Sequence, residues 1–296
     1  MSYTQLTEEY LPENYEPEWG KLASATTESP FMEASFNLAH QCGHLTIIIT
    51  SLKPTKPLVR NEAILLGITV RLMKLMKILI RDLSNNECYQ QLSISREMIE
   101  SAGTLEYLLQ DDGSGERFDK YVNNSLVAER EVLSDVKNNI ARRGGDALHI
   151  EARMTSSINS TAKAAGVDDV AQLPARRAIG FPSAEERVRE LGDNAYLAYR
   201  TGSSEVHGDW ADLFKYHLEY DGSTFMPYYE EPRARPQIIG GVTMIMCNAF
   251  GGYLEKYGDP EVEEAFKQIL GEISDKVTRV SELHEQYLER KNPHPQ

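Results

Sequence analysis

Apolar positions in this chain recur at intervals of three and four residues, the spacing of helices, and strand-like alternation is nearly absent. Phe31, Ala34, Leu38, Cys42, Leu45, Ile49 and Leu52 trace one helical face. Ser29 stands where an N-cap belongs, with Pro30 at the first helical position. Lys53-Pro54-Thr55-Lys56-Pro57 breaks the pattern. Residues 58–83 read as a long second helix. Its apolar positions wrap most of its circumference, which predicts a central place. Ser84-Asn85-Asn86 ends it.

A third helix is predicted over 93–109, followed by the acidic turn Asp111-Asp112-Gly113-Ser114-Gly115. A fourth spans 116–141, with Phe118, Tyr121, Val122, Leu126, Val132, Leu133, Val136 and Ile140 in its stripe and Gly144-Gly145 as its stop. Residues 146–165 are helix-compatible and 166–183 form an irregular connector. A helical stretch from Ser183 runs through Tyr196 and Tyr199 into residues 200–208. Tyrosine, glycine and proline mark 219–237 as a long loop. Helices over about 237–257 and 260–290 close the chain, the last capped by Asp259 and Pro260.

The pattern predicts an all-α protein, a bundle of about ten helical segments. Three parts are expected: an acidic arm over 1–28, a bundle over 29–257, and a C-terminal amphipathic helix with a short tail over 258–296. In that last helix Val262, Phe266, Ile269, Ile273, Val277, Val280, Leu283 and Tyr287 recur at three or four. The stripe predicts a homodimer held in part by this helix, with docking on its own bundle as the simpler alternative.

Charge narrows the partners. Lys and Arg number 31 against 45 Asp and Glu, a net charge of −14 over 296 residues. That balance argues against a surface that grips nucleic acid or an anionic membrane as a whole. A local basic stripe stays open at Arg71, Lys74, Lys77 and Arg81, for which a solvated face is the blander reading. No motif that reads a DNA groove is present. Residues 58–80 carry too many charges for a bilayer span, and Ile238–Leu254 reads as a buried helix, so no membrane partner is expected. The acidic start lacks the features of a secretory signal. Cys42, Cys88 and Cys247 are scattered without a CxxC pair, which points to a reducing cytoplasm.

Phosphate loops, dinucleotide-binding turns, HExxH and paired ExxH motifs are all missing. Ser160-Thr161-Ala162-Lys163 spells SxxK without its companion motifs. His40 and His44 share a helical face, but Cys42 between them points away, and ordinary hydrogen bonds are the expectation. No metal and no cofactor are expected.

What remains is Tyr196 to Gly208, where aromatic and polar groups concentrate. Arg200 and His207 are separated by six residues. An imidazole can take the proton of a ribose 2′-hydroxyl or give one to a leaving 5′-oxygen. A guanidinium can hold the scissile phosphate. The spacing alone selects nothing, because Arg142 and Arg143 precede His149, and Arg279 precedes His284, in the same window. Seven positions return the two side chains to one face, but about 10.5 Å apart along the axis. Convergence requires a bend at Gly202 or a second subunit.

Two stretches carry a family resemblance. Ser95-Arg96-Glu97-Met98-Ile99-Glu100 resembles an Arg-x-x-x-Glu helix. Tyr199-Arg200-Thr201-Gly202-Ser203-Ser204-Glu205-Val206-His207-Gly208 resembles a Tyr-containing segment that ends in Val-His. Both occur in a mostly helical bacterial family catalogued as a domain of unknown function, itself loosely similar to HEPN ribonucleases. The likeness spans about residues 30–255. It implies an all-α fold, RNA cleavage, and a place in bacterial stress or phage defence.

On this reading His207 is the acid/base and Arg200 the phosphate clamp. Arg96 faces the same cleft, Glu100 orients it, and Glu62 is a third member. Tyr199, Ser203 and Ser204 assist. The blander readings are an Arg96–Glu100 ion pair one turn apart, and core places for Tyr196, Tyr199, Trp210 and Tyr216. Three classes stay open: a metal-independent endoribonuclease, a non-catalytic helical module that binds a nucleotide or a protein, and a scaffold without a ligand.

Overall fold

A computed structural model describes residues 14–52, 57–258 and 260–292. The breaker Lys53-Pro54-Thr55-Lys56, the cap Asp259 and residues 1–13 of the arm lie outside the described residues. Among the described residues the fold is all-α apart from one two-stranded hairpin. Its helices are α1 (Trp19–Ala23), α2 (Ser29–Ser51), α3 (Arg60–Ser84), α4 (Gln91–Leu109), α5 (Glu116–Arg142), α6 (His149–Ala164), α7 (Arg176–Ile179), α8 (Ala184–Arg189), α9 (Asp193–His207), α10 (Trp210–Tyr216), α11 (Pro236–Tyr257) and α12 (Pro260–Lys291). They gather into two compact units.

The larger unit draws on residues 1–58, 62–109 and 184–296. Its centre is α11, which packs on α2, α4 and α12 and buries Ile239, Val242, Met246, Phe250 and Leu254. By length and composition alone α11 is long and apolar enough to cross a membrane, a test that a buried core helix also passes. Cys42 and Cys247 meet in this core as free thiols, their sulfurs 3.9 Å apart.

The central place predicted for the second helix is thus taken by α11. In α3 the buried positions form one stripe, Leu65, Ile68, Leu72, Leu75, Met76 and Leu79, while Arg71, Lys74, Lys77 and Arg81 stay exposed. The basic stripe is partly spent on neighbours, since Arg71 pairs with Glu97 at 2.8 Å and Arg81 with Asp82 at 2.6 Å.

The C-terminal stripe is covered by its own chain. Phe266, Leu270, Ile273, Val277, Val280 and Tyr287 are buried, and α12 lies against α2 and α11. Chain ahead of α2 docks on α12 as well. Lys276 Nζ donates to Asn14 Oδ1 and Tyr15 O, each at 2.8 Å, and Arg279 sits 4.2 Å from the Trp19 ring centroid. Ser29 begins α2 rather than capping it, and Glu28 takes the cap position.

The smaller unit holds residues 59–61 and 110–183. Asp111 accepts from the backbone amides of Gly113, Gly115 and Arg117 and so shapes the turn that starts α5. The stripe Phe118, Val122, Leu126, Leu133 and Val136 is buried, whereas Val132 is exposed. α5 packs on α6, on α7 and on a 3₁₀ turn at Val170–Gln172 inside the predicted connector.

Candidate functional site

The helical stretch expected from Ser183 is broken in two. Gly192, at φ 101°, turns the chain between α8 and α9, and L side chains adopt that conformation only with strain. From Asp193 to His207 α9 is continuous, and Gly208 at φ 58° closes it.

One face of α9 packs on α4. Ala195, Gly202 and Glu205 are buried there and Tyr199 flanks them. The helix runs through Gly202 without a break. A Cβ at this position would stand 2.7 Å from the carbonyl oxygen of Leu92 and 2.9 Å from Arg96 Cβ. The glycine lets two helix backbones approach. Glu205 accepts from Ser93 N at 2.6 Å and Ser93 Oγ at 2.8 Å. Ser93 is the third residue of α4, so the carboxylate satisfies an amide that the first turn leaves unpaired.

The opposite face of α9 meets solvent. Arg200 and His207 are both exposed there, as is Leu197. Seven residues of continuous helix separate Arg200 and His207 of one chain by about 10.5 Å along the axis.

The other predicted members separate. Arg96 Nη2 donates to Tyr199 Oη at 3.1 Å, and its guanidinium lies 4.6 Å from the Tyr199 ring centroid. Arg96 Nη1 is buried with no hydrogen-bond partner among the described residues. Arg96 thus grips the motif from its packed side, whereas His207 is on the exposed side. Glu100 neither pairs with Arg96 nor orients it; its carboxylate is 3.8 Å from Arg187, which also donates to Thr104 Oγ1 at 3.2 Å. Glu62 lies in the first turn of α3, nine residues before Arg71, which is the residue that meets Glu97 beside Arg96. That is about 13 Å along the helix axis. Its charge is felt instead by Tyr253 of α11. Ser203 Oγ donates to the Tyr199 carbonyl at 3.3 Å. The side chain of Ser204 lies outside the described residues.

Core places were the expectation for four aromatic residues, and Trp210 departs from it at 60% exposure. Tyr196 is held between α8 and α9, donating to Glu185 at 2.7 Å beneath the Arg189 guanidinium. Trp210 follows Asp209, which caps α10 by accepting from Asp212 N at 3.1 Å. A hairpin then fills the start of the predicted 219–237 loop: β1 (Leu218–Tyr220) pairs antiparallel with β2 (Phe225–Pro227), Tyr220 opposite Phe225. Trp210, Phe214, Tyr220 and Phe225 form a connected and exposed ring cluster, with the closest centroids, those of Tyr220 and Phe225, 4.6 Å apart.

Beside this cluster is a group that no spacing rule singles out. Asp212 is only 2% exposed, its Oδ2 is 3.5 Å from His217 Nε2, and its Oδ1 has no partner among the described residues. The Tyr89 ring meets His217 edge-on at 5.2 Å. An imidazole oriented by a buried carboxylate is suited to proton exchange. Burial pushes the Glu205 carboxyl above its ordinary value, the charge of Asp212 adds to the rise, and Ser93 and His217 oppose it.

That shift has a testable sign. A carboxyl raised in the folded state keeps its proton longer than in the unfolded chain. Its unfavourable contribution is absent below the ordinary 4.5 and grows as pH rises through the folded value. Glu205→Gln keeps an acceptor for Ser93 and removes the charge. Its stability relative to the unaltered protein should therefore improve between pH 4.5 and pH 7, as read from urea midpoints. An identical difference at both pH values contradicts the assignment.

Among the described residues no group of three or more His, Cys, Asp or Glu side chains is placed to hold a metal ion. No curated protein and no solved structure matches the chain. One family model does match, over residues 62–224, more than half of the chain and a narrower span than the resemblance suggested. Its description is a family of unknown function, with no mention of ribonucleases. The matched span contains both the Arg96 helix and the whole Tyr199 to Gly208 segment, and the chain is therefore a member of the DUF5677 family.

Proposed function

We propose that this protein is a HEPN-like, metal-independent endoribonuclease of the cytoplasm. The observation that carries the reading is the placement of Arg200 and His207 together on the solvent face of α9, on a segment held rigidly from behind. His207 removes the ribose 2′-hydroxyl proton, and the 2′-oxygen attacks the adjacent phosphorus. The P–O5′ bond breaks, and the 5′-oxygen leaves with the proton that His207 took up. Arg200 neutralises charge developing on the phosphoryl oxygens. The exposed rings at Trp210, Phe214, Tyr220 and Phe225 offer stacking surfaces for unpaired bases.

The distance along α9 assigns the clamp to a second copy. Two α9 helices meeting antiparallel about a twofold axis between Ser203 and Ser204 bring Arg200 of each level with His207 of the other. That contact also covers Leu197, which is 67% exposed in the single chain. In this reading the homodimer forms through α9, since the α12 stripe is already buried. Sedimentation at micromolar concentration should give the mass of two chains, and Leu197→Asp should give one chain without activity. A one-chain mass with cleavage intact overturns the composite site.

The reaction itself is tested by its product. Single-stranded RNA digested in EDTA should yield 2′,3′-cyclic phosphate and 5′-hydroxyl ends. Loss of cleavage on chelation, or 3′-hydroxyl ends, rejects the chemistry. The non-catalytic module is the second reading, and the exposed ring cluster favours it because stacking needs no proton transfer. RNA retained at equilibrium and left intact would select it.

A further inference from the structure

The segment that leads from the hairpin to α11 frames a cavity of about 490 Å³. Small-molecule sites occupy roughly 300–1,000 Å³. Lys215 of α10 and Arg233 and Arg235 of the segment share its lining. Among the described residues none of these three side chains makes an ion pair or a hydrogen bond.

The same lining holds three carboxylates, so its formal charges balance. Glu231 accepts from Tyr89 N at 3.1 Å and Glu230 from Tyr228 Oη at 3.2 Å, while Glu28 lies 3.9 Å from His284, whose pKa burial lowers. None of the three pairs with Lys215, Arg233 or Arg235 among the described residues, so one ammonium and two guanidinium groups keep their donors for a ligand. Guanidinium forks match phosphoryl oxygens bidentately, and an ammonium adds a point charge. Tyr216 and Tyr228 supply two rings to the same lining. The first turn of the 22-residue α11 completes it.

We infer that this cavity binds a nucleotide, its phosphate on Lys215, Arg233 and Arg235 and its base against the ring of Tyr216 or Tyr228. Phosphate alone would leave the rings without a role, and an unphosphorylated nucleoside would leave the three cations without one. The site does not rest on RNA cleavage at α9. The nucleotide comes either free or as the 5′-phosphorylated end of an oligonucleotide, two sources of the same chemistry.

Isothermal titration with ATP, adenosine and inorganic pyrophosphate, on the full chain, tests the assignment. ATP should bind more tightly than either fragment, and adenosine should give no saturable heat up to millimolar concentration. Arg233→Ala with Arg235→Ala should weaken ATP at least tenfold, and raising the salt should weaken it in the unaltered protein. His207→Ala should bind ATP as the unaltered protein does, which separates this outcome from the fate of the ribonuclease reading. A 5′-phosphorylated pentadeoxynucleotide lacks the 2′-hydroxyl that cleavage requires, so its competition with ATP reports whether an oligonucleotide end is a source. A flat ATP titration overturns the inference. So does affinity unchanged in the double variant, and so does pyrophosphate or adenosine binding as tightly as ATP. Thermal unfolding of the double variant within a degree or two of the unaltered protein verifies that a loss of binding is not a loss of fold.

Discussion

Gly202→Val should destabilise the protein by about 3 kcal/mol, the upper part of the range for overpacking a close contact. For a chain of this size the unfolding midpoint should fall by about 6–12 °C. The atom in the way is a backbone oxygen, that of Leu92, 2.7 Å from where a Cβ would stand. A side chain can swing aside and a carbonyl within a helix cannot, so α9 must lift from α4. Two further contacts weaken as it lifts: Glu205 with Ser93, and Arg96 with Tyr199. The alanine variant tests the sign. Helix propensity favours alanine over glycine by about 1 kcal/mol, so packing has to exceed that for Gly202→Ala to lose stability. A Gly202→Ala midpoint equal to or above that of the unaltered protein would place the close approach in error.

His207→Ala should lower RNA cleavage by roughly 10²–10⁴-fold, the usual contribution of a general acid or base. Its unfolding midpoint should scarcely move, because the ring is exposed and ends its helix. Arg200→Lys should also be damaging, since an ammonium cannot hold two phosphoryl oxygens in the planar fork of a guanidinium. The unpaired neighbours make good controls. Leu197→Ala should retain most activity at protein concentrations that saturate the dimer, whereas a charge at the same position should separate the copies. Equal loss of activity and of stability in His207→Ala would assign the ring to the fold.

The long elements were legible because burial on one side of a helix writes a 3.6-residue period into the chain. That is why α2, α5 and α12 fall close to their expected bounds. The shortest elements were not. Strands of three residues, Leu218–Tyr220 and Phe225–Pro227, are too brief to show an alternation. The hairpin instead depends on Asp221, which accepts from Ser223 N and Thr224 N at 2.8 Å each.

Partners distant in sequence were equally hidden. Arg96 has Glu100 one turn away, and helical spacing suggests that pair; the structure gives it Tyr199 instead, 103 positions on. Ser93 finds Glu205 across 112 positions. Nothing in the composition of either segment announces these bonds. Gly202 was visible, but a glycine within a helix permits either a bend or a close approach, and only the position of Leu92 decides between them. Asp212 and His217 are five apart, a spacing that shares no helical face, and the pair forms because His217 lies just beyond the end of α10. The wide apolar wrap of α3 misled for a related reason: Ile64, Leu66 and Ile78 are only partly buried, so hydrophobicity alone overstated how much of the helix is covered.

In the proposed mechanism the outer face of α9 performs proton transfer while its inner face holds the fold. Digestion of one end-labelled single-stranded RNA in EDTA, by the unaltered protein and by His207→Ala matched to it in unfolding midpoint, tests this most directly. The predicted result is cleavage to a 2′,3′-cyclic phosphate by the first and at least a hundredfold slower cleavage by the second. RNA left intact by the unaltered protein, or cut equally well by both, would contradict it.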